Sequence, residues 1–533
     1  MTPILPPGPP DFPFEWEHES DAELSWEWDN MHGPNPLAPM AADYMQVIGQ
    51  GFGYRFERLD APMQVIFRTW HGYLYTTARL HVPSGGEEAF GQRMLERRRG
   101  VIPTTSDYWN RKAIPELRAA YASIDAIQVE GADPETLAAD WERAWRLLER
   151  AWSIHFFVIT GAYQVLDDLA DRYEALVPGA SAGEALRLVQ GRLGDLQDVG
   201  DALERLVDLA RQDPIAGEAL RAGAYDDLPT DGPFHDELAR FLERHGHLGQ
   251  GWDDLQLASW SEDPTPLYSD LAKRLDQPGE RAEDRRRRLQ DDSDRLLEEV
   301  RARLASKPDE LRDFESLLGH AREIGHLTET HNYWIDRMAQ ATLRRLAMRV
   351  GRRLVGDGVI GAVEDVFYLH RSEIPELIRA PRGMTGTLAE RKAEHERQRT
   401  MTPPPWIGQP PEGGGGRFDT PERVEHQAQE VRGAGASPGI ARGPARVALG
   451  QDDFDRIQPG DIIVCPSSNP SWVPLFSIAA GLVTDAGGVL SHAAVVAREF
   501  GLPAVVGTRD GTSRIPDGRL IEIDGSAGTV RIL

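Results

Sequence analysis

The sequence contains almost no cysteine and has fewer basic than acidic residues, and both features narrow the classes of protein it can belong to. Its single cysteine, Cys465, excludes an internal disulfide framework and a cysteine-rich zinc site. Lysine and arginine together number 59 against 85 acidic residues, which gives a formal net charge of -26. Such a charge repels nucleic-acid phosphates and anionic lipids. We therefore expect neither nucleic acid nor a membrane as a partner.

Long apolar runs are also missing. No segment reaches the roughly 18 consecutive apolar residues expected of a membrane-spanning helix. The N-terminal stretch MTPILPPGPPDFPFEWEHES has no basic region followed by an apolar one, so it does not resemble a secretory leader. Together with the single cysteine, these features predict a soluble protein of the reducing cytoplasm.

Changes in composition along the chain predict a multidomain protein. Residues 1–40 are rich in proline, tryptophan and acidic residues without helical periodicity, which predicts an N-terminal arm. Residues 41–378 carry apolar residues three and four positions apart, which predicts a large, mainly α-helical domain. Residues 379–432 are rich in proline, glycine and charge, which is typical of a linker or hinge. Residues 433–533 alternate short β-like runs with one helix-like run, which predicts a compact α/β domain.

The stretch TDAGGVLSHAAVVAREF places a histidine at the predicted start of a helix. Ser491 is a favoured N-cap residue, so His492 falls in the first helical turn, where unpaired N–H groups attract anions. Neutral imidazole is also nucleophilic near pH 7. Thr484, Gly487, Gly488 and Ser491 are the candidate phosphate-positioning residues. On spacing alone, the favoured interpretation is that His492 is a polar helix-start residue and the glycines only turn the chain.

Three segments of the C-terminal domain carry a resemblance that favours the first interpretation. They are ASPGIARGPARV (436–447), DIIVCPSSNPSWVPLF (461–476) and TDAGGVLSHAAVVAREFGLPAVVG (484–507). In this order they resemble the swivelling phosphohistidine domain of phosphoenolpyruvate-utilising enzymes. The resemblance implies an α/β fold in which His492 is transiently phosphorylated.

The helical domain is similar to the acceptor-binding domain of rifampicin phosphotransferase-like proteins. The similar segments are WEWDNMHGPNPLAPM (26–40), HGYLY (71–75), AWSIHFF (151–157), FLERHGHLGQGWDDLQLASWSEDP (241–264) and RVGRRLVGDGVIGAVEDVFYLHRSEI (349–374). That family usually has an arginine and an acidic residue after the glycine-histidine pair, whereas this sequence has Leu248 and Trp252. The acceptor is therefore expected to differ.

Two catalytic modules of the wider family are not visible in the sequence. No pattern of about 250 residues indicates a (β/α)₈ barrel for phosphoenolpyruvate, and the helical first 380 residues show no glycine-rich hairpins of an ATP-grasp domain. By similarity to phenylphosphate and cresol-phosphate synthases, we expect a separate ATP-grasp subunit. That partner would hold ATP and Mg²⁺ and phosphorylate His492, with no cofactor bound tightly to this chain.

The resemblance thus implies a phosphotransferase whose C-terminal domain swings to a small alcohol or aromatic hydroxyl acceptor. Two alternatives stay open. The chain could be a non-catalytic ligand-binding or regulatory protein that keeps the phosphohistidine fold, or a stand-alone phosphoenolpyruvate-dependent enzyme.

Transfer from phosphohistidine to a hydroxyl needs a base and cationic groups around the phosphoryl oxygens. His247 is the candidate base. Arg322, Glu323 and Arg337, in and after AREIGHLTETHNYWIDR, are the candidates for the phosphoryl group. The competing interpretations are a core histidine and an ordinary surface ion-pair helix. No metal-ligand spacing stands out, so no metal site is expected.

Two further features have both a functional and a structural interpretation. Trp16, Trp26, Trp28 and Trp70 either line an apolar acceptor pocket or pack in a core. His155, on a strongly apolar helix, is predicted to be a hydrogen-bonded core histidine.

Overall fold

The computed structural model describes residues 12–16, 18–30, 32–58, 63–80, 87–192, 194–249, 254–276, 281–409, 429–468, 472–476 and 478–533. They form two units, which we call the helical body (residues 12–409) and the C-terminal lobe (residues 429–533). The prediction of a multidomain protein, mainly helical with a sheet-containing C-terminal part, is confirmed.

The helical body is organised around one long helix, α4. Its helices are α1 (Pro39–Arg58), α2 (Glu87–Tyr108), α3 (Ile114–Asp125), α4 (Pro134–Leu176), α5 (Ala182–Ala185), α6 (Asp195–Gln212), α7 (Pro214–Ala222), α8 (Gly232–His245), α9 (Thr265–Leu275), α10 (Ala282–Arg303), α11 (Pro308–Ile324), α12 (Leu327–His331), α13 (Met338–Gly356), α14 (Glu373–Arg379) and α15 (Thr385–Gln398).

Helix α4 is 43 residues long and begins at a side-chain cap. Asp133 accepts a hydrogen bond from the Thr136 backbone N–H at 3.0 Å, which satisfies a free donor of the first turn. Trp141, Trp145 and Trp152 follow at helical spacing and are fully buried, so one face of α4 lies in the main core of the body. None of the helices in the described part of the chain combines the length and the apolar character needed to cross a membrane.

The body also contains a small antiparallel sheet. Its strands are β1 (Ser25–Trp28), β2 (Met63–Trp70), β3 (Tyr73–Leu80) and β4 (Trp406–Gly408), in the order β2-β3-β1-β4. The β2–β3 turn places His71 and Gly72 at φ of 50° and 74°. Two positive φ values match the twist of a two-residue hairpin. This hairpin interrupts the helical pattern predicted for residues 41–378, because pairing with the distant β1 stabilises the extended conformation.

The tryptophans of the N-terminal region are core residues. Trp26 and Trp70 are buried with ring centroids 5.1 Å apart, and Trp16 and Trp28 pack against the same aromatic cluster. The packing interpretation of these side chains therefore agrees with the structure.

Much of the predicted linker is packed on the body. Met384 and Leu388 belong to the main hydrophobic cluster, and Ile407 of β4 is buried in the aromatic cluster. The packed body therefore continues past the predicted boundary at residue 378, because α15 buries its apolar side against the main core. Residues 410–428, the remainder of the predicted linker up to the C-terminal lobe, lie outside the described residues.

The C-terminal lobe is a mixed sheet with short helices. Its strands are β5 (Glu430–Arg432), β6 (Ala434–Ser437), β7 (Ile440–Val447), β8 (Ile462–Cys465), β9 (Gly481–Thr484), β10 (Ala504–Val506), β11 (Leu520–Asp524) and β12 (Thr529–Ile532), and its helices are α16 (Val473–Phe476), α17 (His492–Phe500) and α18 (Gly511–Arg514). The strand order is β5-β12-β11-β7-β8-β9-β10-β6.

Strands β7 to β10 run parallel at the centre of this sheet. β8 and β9 are buried along their whole length, which explains their uninterrupted apolar sequences. Cys465, the last residue of β8, is fully buried, and burial raises the pKa of its thiol well above its usual value. The loop that leaves β9 leads to α17, so α17 begins at the carboxyl edge of the parallel strands, where α/β sheets commonly bind ligands.

We expect Leu388→Ala to destabilise the body, because Leu388 is 2% exposed and its truncation leaves a cavity in the main core. The expected loss is about 2–5 kcal/mol in the free energy of unfolding, measured by denaturant titration. Ile215→Ala, at a side chain 62% exposed on the body, is the control and should change stability by less than about 0.5 kcal/mol. Equal effects of the two substitutions would contradict the assignment of α15 to the body.

Candidate functional site

The segment between β9 and α17 presents His492 at a helix start. Ser491 is the N-cap of α17, and its Oγ accepts a hydrogen bond from the Ala494 backbone N–H at 3.4 Å. His492 therefore lies in the first turn, where the sequence places it. Gly487 has a φ of +100°, and a Cβ at this position would lie 2.8 Å from Ser491 Oγ. The turn therefore requires glycine at position 487.

The other two candidate phosphate-positioning residues differ in accessibility. Thr484 is fully buried, and its Oγ1 donates to the Ala486 carbonyl at 2.7 Å. Gly488 is exposed, its carbonyl accepts from the Ser491 N–H at 2.9 Å, and a Cβ there would contact no atom within 4 Å. Thr484 thus shapes the turn, while Gly488 leaves open space beside the N-cap. A role of these residues toward phosphate stays a prediction.

His492 forms a hydrogen bond across the two units. Its Nδ1 lies 2.6 Å from Oε2 of Glu329, a residue of α12 that is only 1% exposed. A carboxylate accepts hydrogen bonds and does not donate them, so the proton of the neutral imidazole lies on Nδ1. Nε2 then carries the lone pair, and among the residues that the structure describes this buried nitrogen has no hydrogen-bond partner. The geometry therefore prepares Nε2 as the nucleophilic atom of the ring.

The C-terminal lobe docks on the body through α17 and the preceding loop. Leu490 packs against the main hydrophobic cluster of the body. The Gly191 N–H donates to the Glu499 carboxylate at 2.7 Å, and the Arg285 guanidinium lies 5.0 Å from the Phe500 ring centroid. The candidate site thus lies between the two units.

A second group of titratable side chains lies in the body near His492. His155 of α4, His331 of α12 and Asp336, in the π-helical turn Asn332–Arg337, have nitrogen and oxygen atoms within 4.8 Å of one another. His155 Nδ1 is 2.9 Å from Asp336 Oδ1. Burial, with smaller contributions from His155 and His492, lowers the pKa of His331 to about 3. Burial alone would raise the pKa of Asp336, but the charge and hydrogen bond of His155 outweigh it and lower that pKa.

The candidate base His247 is buried beside the same π-helical turn. Its ring centroid is 4.5 Å from that of Tyr333, and its buried Nε2 has no hydrogen-bond partner within the described part of the chain. Burial lowers the pKa of His247 to about 3, and the nearby charges of His245 and Arg337 act in the same direction. The structure therefore brings His247 and the buried Arg337 close together, with the imidazole neutral.

Arg322 and Glu323 occupy a different environment. Arg322 donates from Nε to the Leu188 carbonyl and from Nη2 to Ser293 Oγ, each at 3.0 Å, and burial lowers its pKa. These contacts hold α11 against α10. Glu323 lies on the exposed side of α11. Among the described residues, no hydrogen bond or ion pair joins either side chain to His492.

Sequence reasoning missed Glu329 and Asp336, and it assigned His155 only to the core. The sequence did contain one usable signal. Five consecutive residues, Thr328 to Asn332, are polar and buried within a helical core, which is rare unless the groups are hydrogen-bonded or functional. Trp252, which marks a departure from the family pattern, lies outside the described residues.

Models of two known protein families match parts of the two units. The family described as PEP-utilising enzyme, mobile domain, matches residues 457–528, which include His492. The family described as rifampicin phosphotransferase fourth domain matches residues 156–329, which end at Glu329. The two matches confirm the resemblance seen in the sequence to phosphoenolpyruvate-utilising enzymes and to rifampicin phosphotransferases.

Individual relatives match this chain over much of its length. Chondramide synthase cmdD of Chondromyces crocatus is 30% identical over 99% of this chain and 14% of its own length. The uncharacterized phosphotransferase YvkC of Bacillus subtilis is 27% identical over 96% of this chain and 63% of its own length. Rifampicin phosphotransferase of Streptomyces sviceus is 30% identical over 71% of this chain and 44% of its own length. The chain thus spans less than two thirds of each of these relatives.

We expect docking of the lobe on the body to weaken as pH rises, because burial at the interface raises the pKa of Glu499 from 4.5 to about 7. The docked state binds a proton that the undocked state releases, so docking is strongest below about pH 4.5 and loses this contribution as pH rises to about 7. Small-angle X-ray scattering should show a larger maximum dimension at pH 8 than at pH 5.5.

Glu499→Gln should flatten this pH dependence, because the amide oxygen still accepts from Gly191 but does not titrate. Glu522→Gln, at β11 of the same lobe, is the matched control and should keep the response of the unsubstituted chain. An unchanged pH response in Glu499→Gln would disprove the role of Glu499.

Proposed function

We propose that this chain is a phosphotransferase component in which His492 carries a phosphoryl group to a hydroxyl acceptor at the helical body. The observation that carries the proposal is the imidazole of His492, whose Nδ1 is fixed by Glu329 and whose Nε2 is buried with a free lone pair between the two units. Relatives named rifampicin phosphotransferase support the same class of reaction.

The local structure suits Nε2 for this chemistry. When a phosphoryl group on Nε2 is transferred in the docked state, Glu329 accepts a hydrogen bond from Nδ1, so that nitrogen keeps its proton while the electron pair of the P–N bond returns to Nε2. The start of α17 directs backbone N–H groups and a partial positive charge toward the phosphoryl oxygens. Transfer then requires the acceptor oxygen to approach phosphorus opposite Nε2, forming an O–P bond as the P–N bond breaks.

Burial of His492 argues for movement of the C-terminal lobe. Its side chain is 12% exposed in the docked arrangement, and its Nε2 is enclosed. A nucleotide-bound donor cannot reach an enclosed nitrogen, so phosphorylation must occur when the lobe is away from the body. We therefore propose that the lobe swivels between a donor station and the docked station described above.

The same proposal includes the source of the phosphoryl group and the compound that accepts it. A separate ATP-grasp subunit with ATP and Mg²⁺ supplies the phosphoryl group, and the acceptor is a small alcohol or aromatic hydroxyl compound. His247, neutral and beside Arg337, stays the candidate base for the acceptor proton. Its place near the π-helical turn that contains Asp336 supports an acceptor position on this side of the body.

His492→Asn should abolish phosphorylation of the chain. After incubation with radiolabelled ATP and an ATP-grasp partner, the unsubstituted chain should carry acid-labile, base-stable phosphate, and His492→Asn should carry none. His235→Asn, at a solvent-exposed histidine, is the control and should label normally. Label retained in His492→Asn, or no label with a competent partner, would refute the proposal. Pyruvate release from phosphoenolpyruvate by the chain alone would instead support a stand-alone enzyme.

Glu329→Gln should slow transfer to the acceptor more than it slows labelling of His492. The carboxylate contacts His492 only in the docked state, and a hydrogen bond to a charged group is worth about 1.5–3 kcal/mol. We expect a drop of roughly 10- to 100-fold in the single-turnover transfer rate. Glu298→Gln, at a side chain 70% exposed on α10, is the control. Equal slowing of both half-reactions would indicate that Glu329 acts on folding instead.

A further inference from the structure

Three buried side chains of the body converge from separate elements. His155 lies in the middle of α4, His331 ends α12, and Asp336 belongs to the π-helical turn Asn332–Arg337. All three are buried, and one nitrogen or oxygen atom of each lies within 4.8 Å of those of the other two. His155 and His331 are perpendicular, with ring centroids 4.3 Å apart. Two imidazoles and one carboxylate on one side of a small volume form a recognised metal-binding set.

The distances agree with coordination of one ion. Two ligand atoms bound at right angles about 2.0–2.2 Å from a metal are roughly 3 Å apart. His155 Nδ1 and Asp336 Oδ1 are 2.9 Å apart. The same distance also fits a direct hydrogen bond between these two atoms. It is therefore compatible with a metal site and with a metal-free dyad of His155 and Asp336.

The orientation of His331 favours the metal site. Its Nδ1 lies 2.5 Å from the Leu327 carbonyl, which can only accept, so Nδ1 carries the proton. Nε2 therefore carries the lone pair that a metal ion requires. A ligating histidine commonly donates its second ring nitrogen to a backbone carbonyl in this way, because that contact fixes the ring and its tautomer.

The charge of the neighbourhood is compatible with a bound cation, although the buried guanidinium of Arg498 already offsets part of the charge of Glu329. Glu329 and Asp336 are both buried carboxylates, and His492 is hydrogen-bonded to the first of them. A phosphoryl group on Nε2 would bring further negative charge into the same region. Buried charge of one sign is costly unless it is paired or bound to a metal ion.

We propose that His155, His331 and Asp336 bind a divalent transition-metal ion beside His492. Two imidazole ligands favour Zn²⁺ or Fe²⁺ over Mg²⁺, and three protein ligands leave positions open for exogenous oxygen ligands. The site is distinct from the Mg²⁺ expected with ATP on the partner.

The role of the ion in catalysis rests on the proposed function. An acceptor hydroxyl bound at an open position gives its proton to His247, the candidate base, and its oxygen attacks the phosphorus on His492. The O–P bond forms as the P–Nε2 bond breaks, and the electron pair of that bond returns to Nε2.

The first test uses the full chain without any phosphate donor. After removal of metal with a chelator, titration with Co²⁺ should reach one ion per chain and produce visible absorption bands of nitrogen and oxygen ligation. Zn²⁺ should displace Co²⁺. Failure of the unsubstituted chain to bind Co²⁺, Mn²⁺ or Zn²⁺ with a dissociation constant below about 100 μM would overturn the proposal, and a metal-free dyad would then explain the cluster.

The second test locates the ion. His331→Gln and Asp336→Asn should each weaken Co²⁺ binding by at least about tenfold and change the absorption bands. His395→Gln, at another buried histidine of the body, should bind like the unsubstituted chain. Thermal unfolding of each metal-free variant reports whether it is folded. Unchanged spectra in folded His331→Gln would place the ion elsewhere and overturn the assignment.

The third test separates this inference from the proposed function. His492→Asn should bind Co²⁺ with unchanged affinity, because His492 is not among the proposed ligands. Metal binding without phosphorylation of His492 would disprove the proposed function and support the metal site. Phosphorylation and transfer by a chain that binds no metal would disprove only the metal site.

Discussion

The hydrogen bond between His492 and Glu329 is the contact on which the candidate site depends. Glu329 is almost completely buried, and a buried carboxylate is costly unless donors surround it. His492 provides one donor, and Asn332 provides another from Nδ2 at 3.2 Å. This one contact therefore stabilises the carboxylate, fixes the tautomer of the imidazole and fixes the position of the lobe on the body.

This contact also connects the chemistry to the position of the lobe. When the lobe is docked, Nε2 of His492 faces the body and is closed to large donors. In the undocked state proposed above, Glu329 loses a donor and the imidazole has free access to both tautomers. Under the proposed function, the reactivity of the histidine and the identity of its reaction partner are thus controlled by the same movement.

The sequence predicted the C-terminal lobe well because its signals are local. Buried strands, a glycine with positive φ and a serine N-cap all act within a few residues of His492. The residue pattern in TDAGGVLSHAAVV is therefore sufficient to predict the local geometry around this histidine. The body was harder to predict. The β2–β3 hairpin depends on pairing with β1, and the packing of Leu388 depends on a core formed mostly by distant helices.

The body side of the site was difficult for the same reason. Glu329 reaches His492 from 163 positions away, and His155 meets Asp336 across 181 positions, so no spacing rule joins them. Conversely, Arg322 was a candidate for contacting the phosphoryl group because it lies near histidines in the sequence. Its donors are instead directed at Leu188 and Ser293, where they hold helices together. Proximity along a helix does not determine which way a side chain points.

Cys465 has a practical consequence for studying the movement of the lobe. It is the only thiol in the sequence, and it is enclosed within strand β8 with its ionisation suppressed by burial. Maleimide and nitroxide reagents require an accessible thiolate, so the folded chain offers them no native target. A fluorophore or spin label can therefore be attached at newly introduced cysteines, one on each unit, without first removing the natural residue.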